Sequence, residues 1–423
     1  MNYETLSGIL LAFAYYYPLF MSYIWICGGL HYRFHWEKQD GTFKESPQME
    51  NQPPVSIIVP AFNEEEHIED TLLQLLKTDY SEYEIIVVND GSSDQTGEII
   101  DGFISSHDRV RAIHLATNSG KANALNAGAM LAKYEILVCI DSDAMLEEHA
   151  VAWLARHFEK SPRLAAVTGN PRIRNRSTLL GKIQVGEFSS IIGLIKRSQR
   201  IYGRVFTVSG VVTAFRKSAL QKIGYWRSDT TTDDIDVSWR LQLDHWDIRY
   251  EPNALCWILM PETYAGLWKQ RVRWAVGGAQ AAMFYAKRLF AWKSRRMWLV
   301  FIEFWLSVLW SYVLALIVLL WLLGKFVALP EYLVVPSLIP GWHGLVLSGT
   351  CLLQFMVSLL IDSRYERGLL KHFFWIIWYP LVYWMINVFT TAVAIPRALF
   401  IGRTQTGTWL SPDRGFKADE TGS

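Results

Sequence analysis

Long stretches without a charged residue flank a polar middle, and this arrangement constrains the fold more than any other feature. Asp, Glu, Lys and Arg are absent from four stretches: Thr5–Tyr32, Phe304–Gly324, Tyr332–Ile361 and Phe373–Pro396. About 20 apolar residues suffice for a helix to cross a bilayer. Because 51% of the 423 residues are hydrophobic and only 19% are charged, we predict a membrane protein with its polar middle outside the bilayer.

The first apolar stretch is predicted to be a retained anchor with its span near Leu6–Leu30. Arg33 and Lys38 follow it, no basic residue precedes it, and no small-residue cleavage site follows, so its C-terminal end is expected in the cytosol. Four spans would then place the C-terminus outside. The basic residues after the last span favour the inside, namely Arg397, Arg403 and Arg414. Either one segment is re-entrant or interfacial, or the charge pattern misleads here.

Charge and cysteine content exclude two classes of protein. Lys and Arg number 41 against 40 acidic residues, a net charge of +1, so no basic surface indicates a nucleic-acid partner. The four cysteines are far apart, without CxxC or metal-ligand spacing: Cys27, Cys139, Cys256 and Cys351. This spacing fits reduced thiols and does not fit a disulfide-stabilised fold.

The polar middle alternates predicted strands with predicted helices. Short runs rich in Val and Ile predict buried strands at Val55–Asn63, Tyr83–Gly91, Arg109–Ala116 and Glu135–Asp143. Amphipathic helices are predicted between and after them, at Ile68–Leu76, Thr96–Ile104, Lys121–Ala132 and Glu147–Phe158. The alternation predicts an α/β domain with a mostly parallel sheet and helices on both faces. The sequence contains no GxxxxGK[ST] loop and no GxGxxG after the first strand, so neither an ATPase nor an ordinary dinucleotide enzyme is supported.

Polar residues follow three of these strands, at the sheet edge where ligands bind in α/β folds. Asn63 and Glu64 end the first strand, Asp90 the second, and Asp141 and Asp143 the fourth. Two carboxylates on alternate residues can hold one divalent cation while that ion bridges nucleotide phosphates. An isolated acid-x-acid pair is more often a solvated strand end, but at the mouth of this sheet we favour a metal site.

Asp90 and Lys121 each have an ordinary interpretation as well. Asn-Asp-Gly is strong turn chemistry, and Asp90 could instead hydrogen-bond the base or ribose of a nucleotide. Lys121 could be an ordinary residue at a helix N-terminus, or it could reach a diphosphate beside Asn118. The sequence leaves both pairs of alternatives open.

The stretch TTTDDID carries three carboxylates at a predicted helix start. Thr230 or Thr231 can cap the helix, and acids suit its N-terminus. Capping does not explain three acids, because Asp233 and Asp236 are expected on one face and Asp234 about 100° away from Asp233. Repulsion should raise the pKa of at least one carboxylate, which suits a general base.

A second motif, Gln270–Trp274, lies in a basic, Trp-containing segment. Such a helix near a membrane is more often interfacial than catalytic, and the following Ala279–Trp292 is predicted to lie on the bilayer surface. Both roles are compatible. Arg273 can neutralise a leaving diphosphate, and Trp274 offers a flat apolar face to a sugar ring.

Together these motifs resemble those of the processive family-2 glycosyltransferases, which include the cellulose, chitin and hyaluronan synthases. That signature is an Asp, an Asp-x-Asp, a Thr-Glu-Asp-like triplet and a Gln-x-x-Arg-Trp, matched in order by Asp90, Asp141–Asp143, Thr232–Asp234 and Gln270–Trp274, with 35 residues between Asp234 and Gln270. Asp233 stands where the family usually has Glu, which keeps the charge and shortens the reach. From Val55 to Gly415 the chain most resembles the bacterial poly-β-1,6-N-acetyl-D-glucosamine synthases, for example in ALCWILMPET and WLSPDRG.

The resemblance implies a GT-A nucleotide-sugar transferase domain in the cytosol, inserted between transmembrane helices, with UDP-N-acetylglucosamine as donor and Mg²⁺ or Mn²⁺ as cofactor. It implies these roles: Asp234 as the base; Asp141 and Asp143 on the metal; Asn63, Glu64, Asp90, Lys121 and Asp141 around the donor; and Asp233, Gln270, Arg273 and Trp274 around the acceptor and diphosphate. A growing polysaccharide crossing the bacterial inner membrane, a small membrane subunit and activation by cyclic di-GMP are also implied.

The expected organisation is an anchor (1–35), a transferase domain (53–260), the Gln-x-x-Arg-Trp and interfacial helices (261–297), membrane helices (298–396) and a tail (397–423). Three other functions stay open at this point. The chain could be another β-polysaccharide synthase of the hyaluronan, chitin or cellulose type, or a non-processive transferase acting on a lipid carrier. It could also be a transporter or channel with a nucleotide-binding regulatory domain. The sugar and its linkage rest on the resemblance alone.

Overall fold

The computed structural model describes residues 5–38, 40–338 and 341–400, and Arg403, Arg414 and the WLSPDRG stretch lie outside them. Within these residues one eight-stranded sheet forms the centre of the polar middle. Its strands are β1 (Val55–Ala61), β2 (Tyr83–Asn89), β3 (Val110–His114), β4 (Ile136–Ile140), β5 (Met145–Leu146), β6 (Leu164–Ile173), β7 (Val212–Arg216) and β8 (Asp247–Ile258).

The strand order is β3-β2-β1-β4-β7-β6-β8-β5. The four strands predicted from sequence form its first half and pair in parallel, with Val55 opposite both Tyr83 and Ile136. The second half is mixed, because β7 runs antiparallel to both β4 and β6 while β6 and β8 are parallel. The α/β domain is therefore confirmed, its sheet is more mixed than the mostly parallel one predicted, and the sequence patterns missed β5 to β8.

The helices surround this sheet and extend from it. They are α1 (Leu6–Tyr32), α2 (Ile68–Leu75), α3 (Thr96–Ser106), α4 (Lys121–Leu131), α5 (Ala150–Glu159), α6 (Leu179–Phe188), α7 (Lys196–Ile201), α8 (Lys217–Ile223), α9 (Asp233–Leu243), α10 (Tyr264–Leu289), α11 (Trp298–Leu323), α12 (Gly341–Asp362), α13 (Phe373–Ile376) and α14 (Tyr379–Phe400). A π-helical turn, Ser189–Ile195, joins α6 to α7, and another, Arg33–Glu37, follows α1.

Each face of the sheet is covered by its own apolar cluster. Ile57 and Val59 of β1 lie in the cluster with α2 and α5, whereas Ile58 between them lies in the cluster with α4, α8 and α9. Successive strand residues point to opposite faces, and both faces here are buried. Each buried aliphatic side chain contributes about 1.5–3 kcal/mol. This two-sided burial explains why the strands are continuous apolar runs in the sequence.

Three helical segments of the described chain are long and apolar enough to cross a membrane, namely Leu6–Glu37, Trp292–Leu323 and Gly341–Asp362. Polar contacts join the first two, since Tyr17 Oη lies 2.6 Å from Ser307 Oγ and Trp310 Nε1 donates to the Ala14 carbonyl at 2.9 Å. These segments begin or end close to the α/β domain.

Two of the four predicted spans differ from the structure. The helix inside Tyr332–Ile361 begins only at Gly341, after a short 3₁₀ turn at Glu331–Leu333. Phe373–Pro396 is divided between the short α13 and α14, and α14 has 22 residues. The number of crossings and the side of the C-terminus stay predictions.

A buried ionic network fixes the membrane helices to the α/β domain. Arg197 of α7 donates to Glu37, after α1, at 2.5 Å and to Asp362, at the end of α12, at 2.9 Å. Arg172 of β6 donates to the other Asp362 oxygen at 2.6 Å, and all four side chains are at most 3% exposed. Arg364 adds hydrogen bonds to the Glu37 and Asp40 carbonyls. The ends of α1 and α12 therefore lie side by side against the domain.

Candidate active site

Asp90, directly after β2, is fully buried and organises the loop that leads into α4. Its Oδ1 accepts hydrogen bonds from the backbone N–H and the hydroxyl of Ser119, and its Oδ2 accepts from the N–H of Gly120, each at 2.8 Å. The Asn-Asp-Gly turn also forms, because Ser92 N donates to Asn89 Oδ1 and Gly91 has a φ of 71°. The Asp90 carboxylate thus anchors the loop immediately before Lys121. A contact between Asp90 and uridine stays a prediction.

Asn63 and Glu64 lie beside this turn, at the end of β1. Asn63 adopts a positive φ of 52°, its Oδ1 accepts from Ser93 N at 2.9 Å, and its own N–H donates to Ser92 Oγ. Glu64 is 1% exposed, and its N–H donates to Thr96 Oγ1 at 2.8 Å. These contacts bring the ends of β1 and β2 together, as expected for neighbouring parallel strands.

Lys121 connects the end of β4 to a loop on the other side of the site. Its ammonium forms an ion pair with Asp141 and donates to the Gly210 carbonyl at 3.2 Å. Burial lowers the pKa of Lys121, but Asp141, Asp233 and Asp234 outweigh it, so that pKa lies above its ordinary value. Burial raises the pKa of Asp141, and Asp143 adds to this, while Lys121 opposes it.

Asp234, in the first turn of α9, lies beside the same Gly210 that Lys121 contacts. Gly210 lies so close that a Cβ there would stand 3.4 Å from Asp234 Oδ2. Burial raises the pKa of Asp234 to about 6, and the Asp233 carboxylate adds to this, while Lys121 and Arg273 act in the other direction. A half-buried carboxylate with a pKa of about 6 is largely ionised at neutral pH, which suits a general base.

The third acid of this stretch, Asp236, is structural. It is 4% exposed and accepts from Arg240 Nε and Tyr285 Oη, each at 2.6 Å. Asp236 is therefore bound by groups of its own helix and of α10, whereas the Asp233 charge raises the pKa of Lys121. The hydrogen bond from Tyr285 fixes the orientation of the Asp236 side chain, and helical spacing alone does not predict this contact.

The capping interpretation of the threonines is also wrong. Thr232 holds the N-cap position of α9 and makes no side-chain capping bond. Thr231 Oγ1 instead donates to Gln280 Oε1 at 2.7 Å, and Thr230 Oγ1 donates to the Arg227 carbonyl at 3.3 Å. The threonines therefore join the start of α9 to α10 and to the preceding loop.

The Gln270–Trp274 motif lies on α10, and this helix packs directly against α9. Gln270 Oε1 is buried without a hydrogen-bond partner among the described residues. Arg273 is exposed, and its charge lowers the pKa of Asp234. Within the described part of the chain it makes no hydrogen bond or ion pair. Trp274 is half-buried. Two polar groups on this helix thus keep bonding capacity for a ligand.

Sequence reasoning missed the residues that hold these groups in place. Arg271, inside the motif, donates to the buried Glu187 of α6 at 2.6 Å and stacks over the Trp274 ring at 4.4 Å. The Arg271 guanidinium therefore helps to fix the orientation of the Trp274 ring. Gly210 and the buried Lys196 of α7 were missed as well. A single acid within an otherwise uncharged run, such as Glu187 between Ile183 and Ile195, was the available signal.

The residues at the end of β4 fit a divalent cation of the kind the resemblance implies. Carboxylate oxygens are ligands that Mg²⁺ and Mn²⁺ accept, and Asp141 and Asp143 supply them on one strand end. The described residues contain no group of three or more His, Cys, Asp or Glu placed to hold an ion. The other ligands would then come from substrate phosphates and water, which is the usual arrangement for Mg²⁺. The ion would compete with Lys121 for Asp141.

Comparison with known proteins gives a consistent result. The family model described as glycosyltransferase like family 2 matches residues 53–277, more than half of the chain. Two poly-β-1,6-N-acetyl-D-glucosamine synthases, from Staphylococcus epidermidis and Staphylococcus aureus (strain COL), are each 42% identical to it over 407 and 408 residues. Each alignment covers 95% of this chain and 98% of the relative.

A solved structure supports the fold. The mannosyltransferase PcManGT from Pyrobaculum calidifontis, determined in complex with GDP-Man and Mn²⁺, aligns with a TM-score of 0.59. The alignment covers 93% of this chain and 99% of that chain at 18% identity. This likeness confirms the GT-A type of architecture and, at such low identity, carries no information on substrate.

Proposed function

Because the chain belongs to glycosyltransferase family 2, we propose that it is a processive, inverting N-acetylglucosaminyltransferase of the membrane. It uses UDP-N-acetylglucosamine to extend poly-β-1,6-N-acetyl-D-glucosamine. The names of the staphylococcal relatives support the sugar and the linkage, and the identity extends over almost the whole of both chains. The helices long enough to cross a bilayer support a membrane location.

One observation carries the chemistry of this proposal. The half-buried Asp234, whose pKa is raised to about 6, lies against Gly210, and Lys121 donates to the Gly210 carbonyl while it pairs with Asp141. In the proposed reaction Asp234 takes the proton from the acceptor hydroxyl as that oxygen bonds to the anomeric carbon of the donor. The bond from that carbon to UDP breaks in the same step, so the configuration inverts.

The other site residues have supporting roles in this proposal. Arg273 stabilises the departing diphosphate by charge, and a divalent ion at Asp141 and Asp143 supplies further electrostatic stabilisation of that anion when bound. Asn63, Glu64, Asp90 and Lys121 surround the donor. Asp233 and Gln270 face the acceptor, and Trp274 offers its ring to a sugar.

We also propose the finer features that the family resemblance implies. The catalytic domain faces the cytosol, the multi-pass membrane part lies in the bacterial inner membrane, and the polymer crosses it to supply biofilm matrix. A small membrane subunit and cyclic di-GMP regulate the enzyme. Copurification of the subunit and stimulation of transfer by cyclic di-GMP are the tests of these two points.

The test of the function is product analysis. The protein in membranes is incubated with Mg²⁺ and, separately, with UDP-N-acetylglucosamine, UDP-glucose and UDP-glucuronic acid, with Asp234→Asn as the blank. We expect a long 1,6-linked polymer from UDP-N-acetylglucosamine only, seen by gel length and linkage analysis. A polymer from another donor would identify a different polysaccharide synthase. Single-sugar lipid products would indicate a non-processive transferase, and donor binding without UDP release would contradict enzymatic activity.

A further inference from the structure

Lys196, the first residue of α7, carries a buried ammonium group that the family motifs do not explain. Its side chain is 4% exposed, and its hydrogen-bond partner is Thr168 Oγ1 at 3.3 Å. It forms no ion pair within the described ranges, although a lysine ammonium has three donors. A buried ammonium without a carboxylate partner is costly, which makes Lys196 a candidate for a functional role.

A short chain of hydrogen bonds connects Lys196 to the backbone around Asp234. Thr168 Oγ1 also accepts from Ser209 N at 2.8 Å, and the next residue is Gly210, against which the Asp234 carboxylate lies. From the other side, Ser238 Oγ accepts from Val208 N and donates to the Asp234 carbonyl. Residues 208–210 therefore lie between Thr168, the partner of Lys196, and the start of the helix that carries Asp234.

The electrostatics of Lys196 and Asp234 are linked. Burial lowers the pKa of Lys196 to about 7, and the Asp234 carboxylate is the charged group that raises it. Three further charged groups face Asp234 from the elements around it: Asp233 on α9, Lys121 on α4 and Arg273 on α10. Lys121 is paired with Asp141 at the donor side, and Arg273 is exposed to solvent screening. Lys196 is also buried, and within the described residues it forms no ion pair with a carboxylate.

We propose that Lys196 is a positioning residue for the base, whose ammonium group keeps Asp234 ionised while the bound acceptor sugar excludes water. The inference rests on the proposed role of Asp234 and adds the residue that maintains it. A neighbouring positive charge favours the ionised form of a carboxylate, and this effect is strongest where water is excluded. No bond to Lys196 forms or breaks in the reaction.

The experiment compares pH profiles of kcat/KM for polymer formation by the full-length protein in membranes. We expect Lys196→Met to move the acid limb, which reports Asp234, about one pH unit upward, with a plateau near the wild-type value at high pH. That shift is about a tenfold loss of rate below the limb. Lys196→Arg keeps the limb in place. Lys217→Met is the matched control, since Lys217 bonds only the Ala132 carbonyl, remote from the site.

The outcomes separate this inference from the proposed function. A folded Lys196→Met enzyme with an unmoved acid limb overturns the inference, as does an equal shift in Lys196→Arg. Lys196→Gln, which keeps a polar group of similar length, repeats the test if the Met variant does not fold. If Asp234→Asn retains the wild-type profile, the assignment of the base fails instead, whatever the Lys196 variants show.

Discussion

Thr232, in the triplet that ends at Asp234, and Gly277, three residues after the Gln270–Trp274 motif, are in direct contact. A Cβ at Gly277 would collide with the Oγ1, Cγ2 and Cβ atoms of Thr232. The absence of a side chain on α10 thus allows the start of α9, which carries Asp234, to lie directly against the helix of Gln270–Trp274. This contact sets the separation between the two halves of the candidate site.

Gly277→Ala should therefore displace α9 from α10. We expect a destabilisation of about 1–3 kcal/mol from overpacking, and a loss of sugar transfer larger than the loss of folded protein, because Asp234 moves with its helix. Thermal unfolding and a UDP-release assay measure the two effects. Gly102→Ala is the control, since nothing lies within 4 Å of a Cβ at this position on α3, and there Ala should stabilise slightly. Unchanged transfer in Gly277→Ala would mean that the contact does not set the site geometry.

Asp234 should give the enzyme an acid limb near pH 6. Its folded-state pKa is raised to about 6, so the carboxylate is protonated below that pH and cannot accept a proton, and the rate falls as the pH is lowered through this range. Asp234→Asn should lower kcat by about 10² to 10⁴ without lowering the melting temperature, because it removes a repelled charge.

Asp236→Asn is the matched contrast two residues along the same helix. It breaks a buried pair with Arg240 and leaves Tyr285 with a weaker acceptor, so we expect a stability loss of about 3–5 kcal/mol. Transfer per folded molecule should change far less than in Asp234→Asn. A larger loss of transfer in Asp236→Asn and a larger loss of stability in Asp234→Asn would mean that Asp236 is the catalytic residue and Asp234 the structural one.

Removal of divalent ions should stop transfer. We expect chelation by EDTA to abolish polymer formation and added Mg²⁺ or Mn²⁺ to restore it, because the leaving diphosphate needs a counter-charge at the end of β4. Asp143→Asn should raise the ion concentration that gives half-maximal rate. Asp108→Asn, an exposed acid just before β3 and so at the opposite edge of the sheet, should leave that concentration unchanged. Full activity in EDTA would contradict a metal at this site.

Asp362 should be essential for stability. Its carboxylate accepts from Arg172 and Arg197, and Asp362→Asn leaves two buried guanidinium groups with a neutral partner, at a cost of about 3–5 kcal/mol. Thermal unfolding in detergent measures this cost. Glu50→Gln, which breaks the exposed pair with Lys160, should not change the unfolding temperature measurably. Equal unfolding temperatures for the two variants would show that the network contributes no stability.

The sequence by itself determined the first half of the sheet and the edge on which the acids lie. Strands buried on both faces are continuous apolar runs, and the polar residue that ends such a run must lie at the carboxyl edge. Asn63, Asp90 and Asp141 could therefore be placed before any coordinates were known. The spacing of the motifs likewise indicated Asp234 and Gln270.

Only the tertiary structure decided which acid faces the site and what holds it there. Asp236 is directed toward Tyr285 and Asp234 toward Gly210 because of residues distant in the chain, and local periodicity contains no information about such contacts. The antiparallel β7 and the buried Lys196 were invisible for the same reason. The division of the last apolar stretch into α13 and α14 also required the structure, because hydropathy records how apolar a segment is and not where its helix begins.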